Sequence, residues 1–269
     1  MVEQFGSVNP VRNSGRHTDT PLISTPHDKR WIYPNDYDWA DLIDDQDKLR
    51  MLIDPSGPYT MAGVNAMGRA MDDEIISGFF NANLTGENGT TSTGLLSAYN
   101  SGSQVVASTV GAAAATGLNI AKLRAAKKIL LQSEVDVDND MLFVAISAKQ
   151  HDDLLNEAQA ISLDYNTKPV LVDGKITSFM GFNFILSERI PGAANFNTAI
   201  NGSVTGYTTG SLYLLPFWAK SGVTLGIWGD IQVSVDKRPD KRNATQVYVK
   251  GTFGGARNEE KRCGIITCV

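Results

Sequence analysis

The chain has almost no cysteine: among 269 residues only Cys263 and Cys268 occur, both near the carboxyl end. Two thiols so placed exclude a disulfide framework and a four-cysteine zinc site, and they point to a reducing folding compartment. Histidine is nearly as scarce. His17, His27 and His151 are scattered, without the HExxH spacing of a zinc hydrolase or a GxSxG nucleophile elbow nearby. No stretch approaches the roughly 20 apolar residues of a membrane span, and the start, Met1 to Gly6, lacks the basic and apolar runs of a signal peptide. Positive charge is not in excess: 24 Lys and Arg against 29 Asp and Glu leave a formal net charge of −5. A surface built to grip phosphate backbones has the opposite balance, so contact with packed DNA is expected to be weak.

What remains is an ordinary globular composition, 42% hydrophobic and 20% charged, able to bury one large core or two modest ones. From Met1 to about Pro58 the chain is dense in Pro, Asp, Asn and aromatic residues with little helical periodicity, which predicts an extended arm or loop. Strands are expected around Trp31–Tyr33 and Tyr37–Trp39, interrupted by Pro34–Asp36. The clearest helix follows, with Met61, Val64, Met67, Met71, Ile75 and Phe79 at three- and four-residue steps and Pro58 in its first turn. Gly63 and Gly68 inside it are expected to mark close backbone approaches. The Gly-, Ser-, Thr- and Asn-rich stretch from Asn81 to Gly117 reads as loops with a short strand near Gln104–Val106. A second helix over about Leu118 to Ser133 puts Ile120, Leu123, Ala126 and Leu130 on one face and Lys122, Arg124 and Lys128 off it. Strand and helix then alternate: Met141–Ile146, a helix near Lys149 to Ala160, Val170–Val172 and Phe182–Leu186. Strands close the chain at Leu212–Leu215, Val223–Trp228, Ile231–Val235 and Gln246–Val249.

The motifs that could carry chemistry fail one by one. Asp136, Asp138 and Asp140 open like a calcium loop, but Met141 stands where the glycine belongs and Ser147 where the bidentate Glu belongs, so a solvated turn is expected. Asp72, Asp73 and Glu74 point in different directions from a helix and have no His-bearing partner motif. Asp173–Gly174 fits a hairpin turn, lacking the flanking residues of a phosphate loop. The run from Lys237 to Arg242, diluted by Asp240, reads as a solvated turn or an intersubunit salt-bridge site. No catalytic residue, cofactor or metal site is expected. The rival from another class is a soluble α/β enzyme or ligand-binding protein using Asp72, Asp73 and His151.

Longer segments carry a resemblance. Arg16-His17-Thr18-Asp19-Thr20-Pro21-Leu22-Ile23, Tyr37-Asp38-Trp39-Ala40-Asp41-Leu42-Ile43-Asp44-Asp45-Gln46-Asp47-Lys48 and Leu52-Ile53-Asp54-Pro55 resemble the major capsid proteins of tailed bacteriophages. The likeness continues through Ala66–Asp73, Lys149-Gln150, Asp153–Leu155, Asp164–Thr167, Phe179–Phe182, Ser187–Arg189, Asp236–Lys241, Ala244–Tyr248 and Gly255–Arg257. It implies an α+β chain with the tailed-phage capsid fold: an amino-terminal arm, an extended β loop, a peripheral domain with a long spine helix, and an axial α/β domain. The divisions so implied are arm and extended loop over 1–56, peripheral domain with the spine over 57–116, axial domain over 117–222 and return strands over 223–269. Relatives usually carry a helix and first loop strand further upstream, so this arm is expected to be either naturally short or truncated.

The resemblance further implies self-assembly into pentamers and hexamers of an icosahedral virion head assembled in the bacterial cytoplasm around double-stranded DNA. Scaffolding, portal and decoration proteins would be further partners, and no membrane is involved. Another virion component, a tail or decoration protein, is the alternative within that setting. Aromatic residues on an extended loop gain about 25 cal/mol per Å² when a neighbour covers them, so Trp31, Tyr33 and Trp39 are expected at subunit contacts. Arg16, Lys29 and Arg30, set against Asp41, Asp44 and Asp45, are expected to fix register between neighbours.

Overall fold

The computed structural model describes residues 2–6, 8–12, 15–16, 19–44, 56–94, 96, 102–157, 171–172, 175–193, 195–197 and 212–269. Strand β1 (Val2–Phe5) pairs antiparallel with β2 (His27–Trp31), and two short strands, β4 (Leu84–Thr85) and β5 (Thr91–Ser92), extend that hairpin into a small sheet of order β1-β2-β4-β5. Strand β3 (Asn35–Ile43) leaves this sheet and pairs antiparallel with β14 (Ala244–Arg257), which also pairs with β13 (Val223–Arg238). The break between β2 and β3 spans 32–34, so Asn35 and Asp36 already lie in strand.

Helix α1 (Ser56–Phe80) is the spine, 25 residues and about 37 Å long. Its N-terminal half lies on the three-stranded sheet, where Met67 packs with Val249 and Phe253, flanked by Tyr37, Trp39 and Met71. Its C-terminal half moves onto a second sheet, where Ile76, Phe79 and Phe80 pack with Leu214, Cys263 and Ile265. The buried side is broader than the expected stripe: it takes in Gly63, Met67, Asp73, Glu74, Ile76, Gly78, Phe79 and Phe80, so of the expected positions Met67 and Phe79 are buried, Val64, Met71 and Ile75 are half-buried, and Met61 faces solvent. Backbone proximity selected that side. A Cβ on Gly63 would lie 2.7 Å from the Trp39 ring and from Val249, and one on Gly78 would lie 2.3 Å from the Gly255 carbonyl carbon. Gly68 does not mark an approach; nothing stands within 4 Å of its Cβ position.

The second sheet is mixed, of order β10-β11-β7-β12-β15-β6. It comprises β6 (Val105–Val106), β7 (Leu142–Ile146), β10 (Ser178–Phe179), β11 (Phe182–Leu186), β12 (Tyr213–Ala219) and β15 (Cys263–Cys268). Strands β7 and β11 are parallel, a pairing that needs a crossover, here containing helix α3 (Ala148–Leu155) and the β8–β9 hairpin (Leu171–Val172 with Lys175–Ile176). The turn at Asp173–Gly174 lies outside the described residues. Helix α2 (Ile120–Gln132) and α3 cover the face away from α1, with Leu123, Ala126, Leu130 and Leu154 against Val144, Ile146, Phe182 and Phe217. Alternation along β12 and β15 sorts the two faces: Leu214, Cys263 and Ile265 meet α1, whereas Leu215, Phe217, Ile266 and Cys268 meet the other core.

Lys122 departs from expectation. Its side chain is fully buried, and its ammonium donates to the carbonyls of Thr116 (2.6 Å), Gly117 (2.9 Å) and Thr267 (3.0 Å). Three acceptors match its three N–H groups, which is what lets a charge sit there. Burial nevertheless draws its pKa below the usual lysine value.

Candidate functional site

Buried charge in this chain joins its own layers. Asp73 on α1 holds Arg189 by two charge-assisted hydrogen bonds, one of 2.6 Å from Nε, and accepts another from Asn197 at 3.0 Å. Glu74, one residue on, accepts from Asn35 (3.0 Å) and from the Tyr37 hydroxyl. Consecutive helical positions point apart, so these two acids tie the spine to two different places: the loop after β11 and strand β3. Burial, then the bond to Glu74, raises the Tyr37 phenol above its ordinary pKa. At the end of the spine, the buried Arg257 donates to the carbonyls of Phe79, Asn81 (2.7 Å) and Gly94 (3.1 Å). A guanidinium there satisfies carbonyls that a helix C-terminus leaves without partners.

Among the described residues, Asp72, Asp73 and His151 are not brought together. Asp73 is engaged with Arg189, Asp72 is exposed, and His151 stands on α3, across the mixed sheet from α1, where its Nε2 accepts from the Ile176 amide at 3.3 Å. Asp136 closes a local turn, accepting from the amides of Asp138 and Asn139 at 3.2 Å and from the Asn139 side chain at 2.6 Å. Among the described residues no group of three or more His, Cys, Asp or Glu is placed to hold a metal ion. Both cysteines are free and buried, and burial pushes the Cys268 thiol up to about 11, away from reactive thiolate character. The apolar cleft between α1 and the mixed sheet, lined by Ile75, Phe79, Leu186, Trp218 and Val223, holds ≈ 170 Å³, below the usual range of a small-molecule site.

The residues expected at subunit contacts divide sharply. Arg30 is buried, paired with Glu260 at 2.5 Å and donating to the Asn258 carbonyl at 3.1 Å, so it serves its own chain. Trp31 likewise turns inward, its indole N–H donating to the Gly86 carbonyl (2.8 Å) and its ring lying over Gly89. Trp39 is half-buried over Gly63. Tyr33, 52% exposed, together with Arg16, Asp41 and Asp44, faces solvent, and Lys29 is half-buried. Asp45 lies outside the described residues. The free surfaces are instead the loop between β1 and β2, with Leu22 fully exposed and Val8, Val11 and Ile23 partly so, and the sheet β13-β14-β3 away from α1.

Sequence reasoning missed the layer-joining charges. Asp73 and Arg189 both sit in segments quoted for the resemblance, and Arg257 closes a third. A buried ion pair requires both partners, so opposite charges in two distant signature segments were the available signal. Lys122 left none, since its position lies off the apolar stripe.

Among the described residues, buried ions bind layer to layer, and the open surfaces are loops and sheet edges that a neighbouring molecule could cover. A family model described as phage capsid protein matches residues 1–269, and the chain belongs to that family. Solved structures agree at the level of fold. The capsid of cyanophage P-SCSP1u is 13% identical and superposes with a TM-score of 0.69, over 99% of this chain and 82% of that one. The capsid of Helicobacter pylori bacteriophage KHP30 (11% identical, TM-score 0.66, 99% and 83%) and a structure from Mycobacterium phage Che8 (16%, 0.62, 98% and 83%) are similar too. No curated protein matches the chain. Family and fold are those of a major capsid protein, a component of the virion, and among the described residues no helix is long and apolar enough to cross a membrane.

Proposed function

We propose that copies of this chain close into pentameric and hexameric rings and so build an icosahedral head around double-stranded DNA. The observation that carries this reading is the family match across the whole chain, joined to a fold shared with capsid proteins at full coverage. The open surfaces support it: a contact-making subunit needs exposed edges and loops that neighbours can cover, with some play between ring sizes. The chain acts without catalysis. It is assembled in the host cytoplasm, with scaffolding, portal and decoration proteins as further partners.

Residues 1–56 form the arm and extended loop in this reading, 57–116 the peripheral domain, 117–222 the axial domain and 223–269 the return strands. Strand β3 lends the first segment to the sheet of the last. Tyr33, Arg16, Lys29, Asp41 and Asp44 meet neighbouring subunits. Net charge of −5 suits a lining that touches DNA weakly and without sequence preference. Size-exclusion chromatography with negative-stain microscopy of the purified chain tests the proposal. Five- and six-fold rings or closed shells are expected; a monomer under every assembly condition overturns it.

A further inference from the structure

The small sheet β1-β2-β4-β5 shares no apolar core with the rest of the chain. Among the described residues, none of the three clusters of packed apolar side chains contains a residue of these four strands. The sheet is held together from within, by its backbone ladders, by the Trp31 ring over Gly89 and by Asp28, which accepts from Thr85 at 2.7 Å and from the Gly86 amide at 3.2 Å. Two bodies joined without a large apolar interface move against each other unless something else fixes them.

Polar contacts at one end of β14 fill that place. Three chain connections cross between the small sheet and the body. The one between β2 and β3 runs against Gly254, where a Cβ would lie 2.3 Å from the Tyr33 carbonyl oxygen. The passages into β4 and out of β5 are held at Asn81 and Gly94, whose carbonyls accept from Arg257 at 2.7 and 3.1 Å. Arg30, the buried residue of β2, reaches out of its sheet to the same junction, with Nη2 2.5 Å from Glu260 Oε2 and Nε donating to the Asn258 carbonyl at 3.1 Å. Arg257 Nε stands 3.9 Å from Oε1 of the same Glu260. Two guanidiniums, one from each side of the junction, thus converge on one carboxylate, and none of the three side chains is more than 7% exposed.

Apolar packing tolerates small slides, whereas charge-assisted hydrogen bonds are directional, and a buried charge deprived of its partner is costly. Such a joint is therefore closed or open to water, with little between. We infer that Arg30, Glu260 and Arg257 form a joint that sets the angle of the small sheet on the body, with Gly254, Asn81 and Gly94 as its pivot, and that releasing Arg30 frees the sheet to turn as a unit while the apolar cores stay packed. Arg30 is the member that releases: Arg257 keeps its carbonyl partners in the body, and without Arg30 the pair of Arg257 with Glu260 is balanced in charge. On the capsid-subunit reading above, this angle decides what the loop between β1 and β2 reaches on a neighbour; the joint itself does not depend on that reading.

Arg30→Met tests it, removing the charge and both bonds while keeping an unbranched side chain. Spin labels at Glu87→Cys, in the turn between β4 and β5, and at Gln132→Cys, on α2, occupy exposed positions on the two bodies, and the native Cys263 and Cys268 are buried away from the reagent. Label-to-label distances are read by pulsed electron paramagnetic resonance on the unassembled chain. The doubly labelled parent should give one narrow distribution; Arg30→Met should broaden it about twofold or more with the circular dichroism spectrum unchanged. Arg30→Lys, which carries the charge without the planar fork, should fall between. A contact that only adds stability leaves a folded variant with the parent's narrow distribution, and that result overturns the joint, as does loss of folding in both variants. Where the parent closes into shells, Arg30→Met should widen the spread of their diameters; an equal spread overturns the joint's part in assembly. A parent that never assembles overturns the capsid reading and leaves the distances to decide the joint.

Discussion

The two sheets of this protein differ in what covers them. The mixed sheet is packed on both faces, by α2 and α3 on one side and the end of α1 on the other, and every residue of β15 is buried. The three-stranded sheet is packed on one face only, and most of β13 beyond Trp228 is exposed. A sheet covered on both sides carries its stability within the chain, through apolar burial that no partner need complete. A sheet covered on one side keeps a polar face and two edges available. In a subunit that must both fold alone and fit several neighbours, the first arrangement supplies the rigid body and the second the adjustable surface.

Substitutions that separate the sheets would sharpen the contrast. Phe217→Ala, in the doubly covered core beside Phe182 (ring centroids 6.4 Å apart), should cost about 3–5 kcal/mol in urea unfolding, whereas Val235→Ala on the open sheet should change stability by less than about 0.5 kcal/mol. Equal losses would remove the distinction. Asp73→Asn leaves Arg189 facing a neutral amide at the join between spine and mixed sheet, and should cost about 3 kcal/mol by the same measurement.

Next in size come the spine glycines. Gly78→Ala forces a Cβ to within 2.3 Å of the Gly255 backbone and should cost about 1–3 kcal/mol. Gly68→Ala, in open space, should stabilise by up to about 1 kcal/mol, so paired melting temperatures that move in the same direction would sink the account of the spine. The smallest effect is expected from pH in the sheet of β1, β2, β4 and β5. The Thr85 hydroxyl (2.7 Å), assisted by the amides of Lys29 (2.8 Å) and Gly86 (3.2 Å), holds the Asp28 carboxyl below its ordinary value of 3.8. A depressed carboxyl contributes stability above its unfolded pKa and loses it as pH falls through the folded one. Amide exchange at Thr85 and Gly86 should therefore speed up as pH drops below about 4, beyond the intrinsic pH dependence of exchange, and Asp28→Asn should abolish that extra step.

Much of this was legible in the residues themselves. The long helix, the second helix, β7, β11 and the closing strands follow from period and from β-branched and aromatic content, and the signature segments implied the fold that the spine and the two sheets display. The whole of β15 was missed: its run of Cys, Gly, Ile and Thr is short and beyond the last turn signal. Lys122 was placed on the wrong side because periodicity weighs a lysine as polar, while two carbonyls from the loop before its helix and one from β15 make its burial tolerable.

Local sequence determined where the chain is helical or extended, because those choices depend on neighbours within a few residues. It also fixed the net charge and the lack of catalytic motifs. Only the tertiary structure decided which side of the spine is buried, because the approach of Gly63 and Gly78 to β3 and β14 is set by backbones far apart in the chain. It likewise gave Arg30 and Trp31 partners within their own chain while much of the three-stranded sheet stays exposed, since burial and pairing belong to three-dimensional neighbours and leave no mark on local spacing.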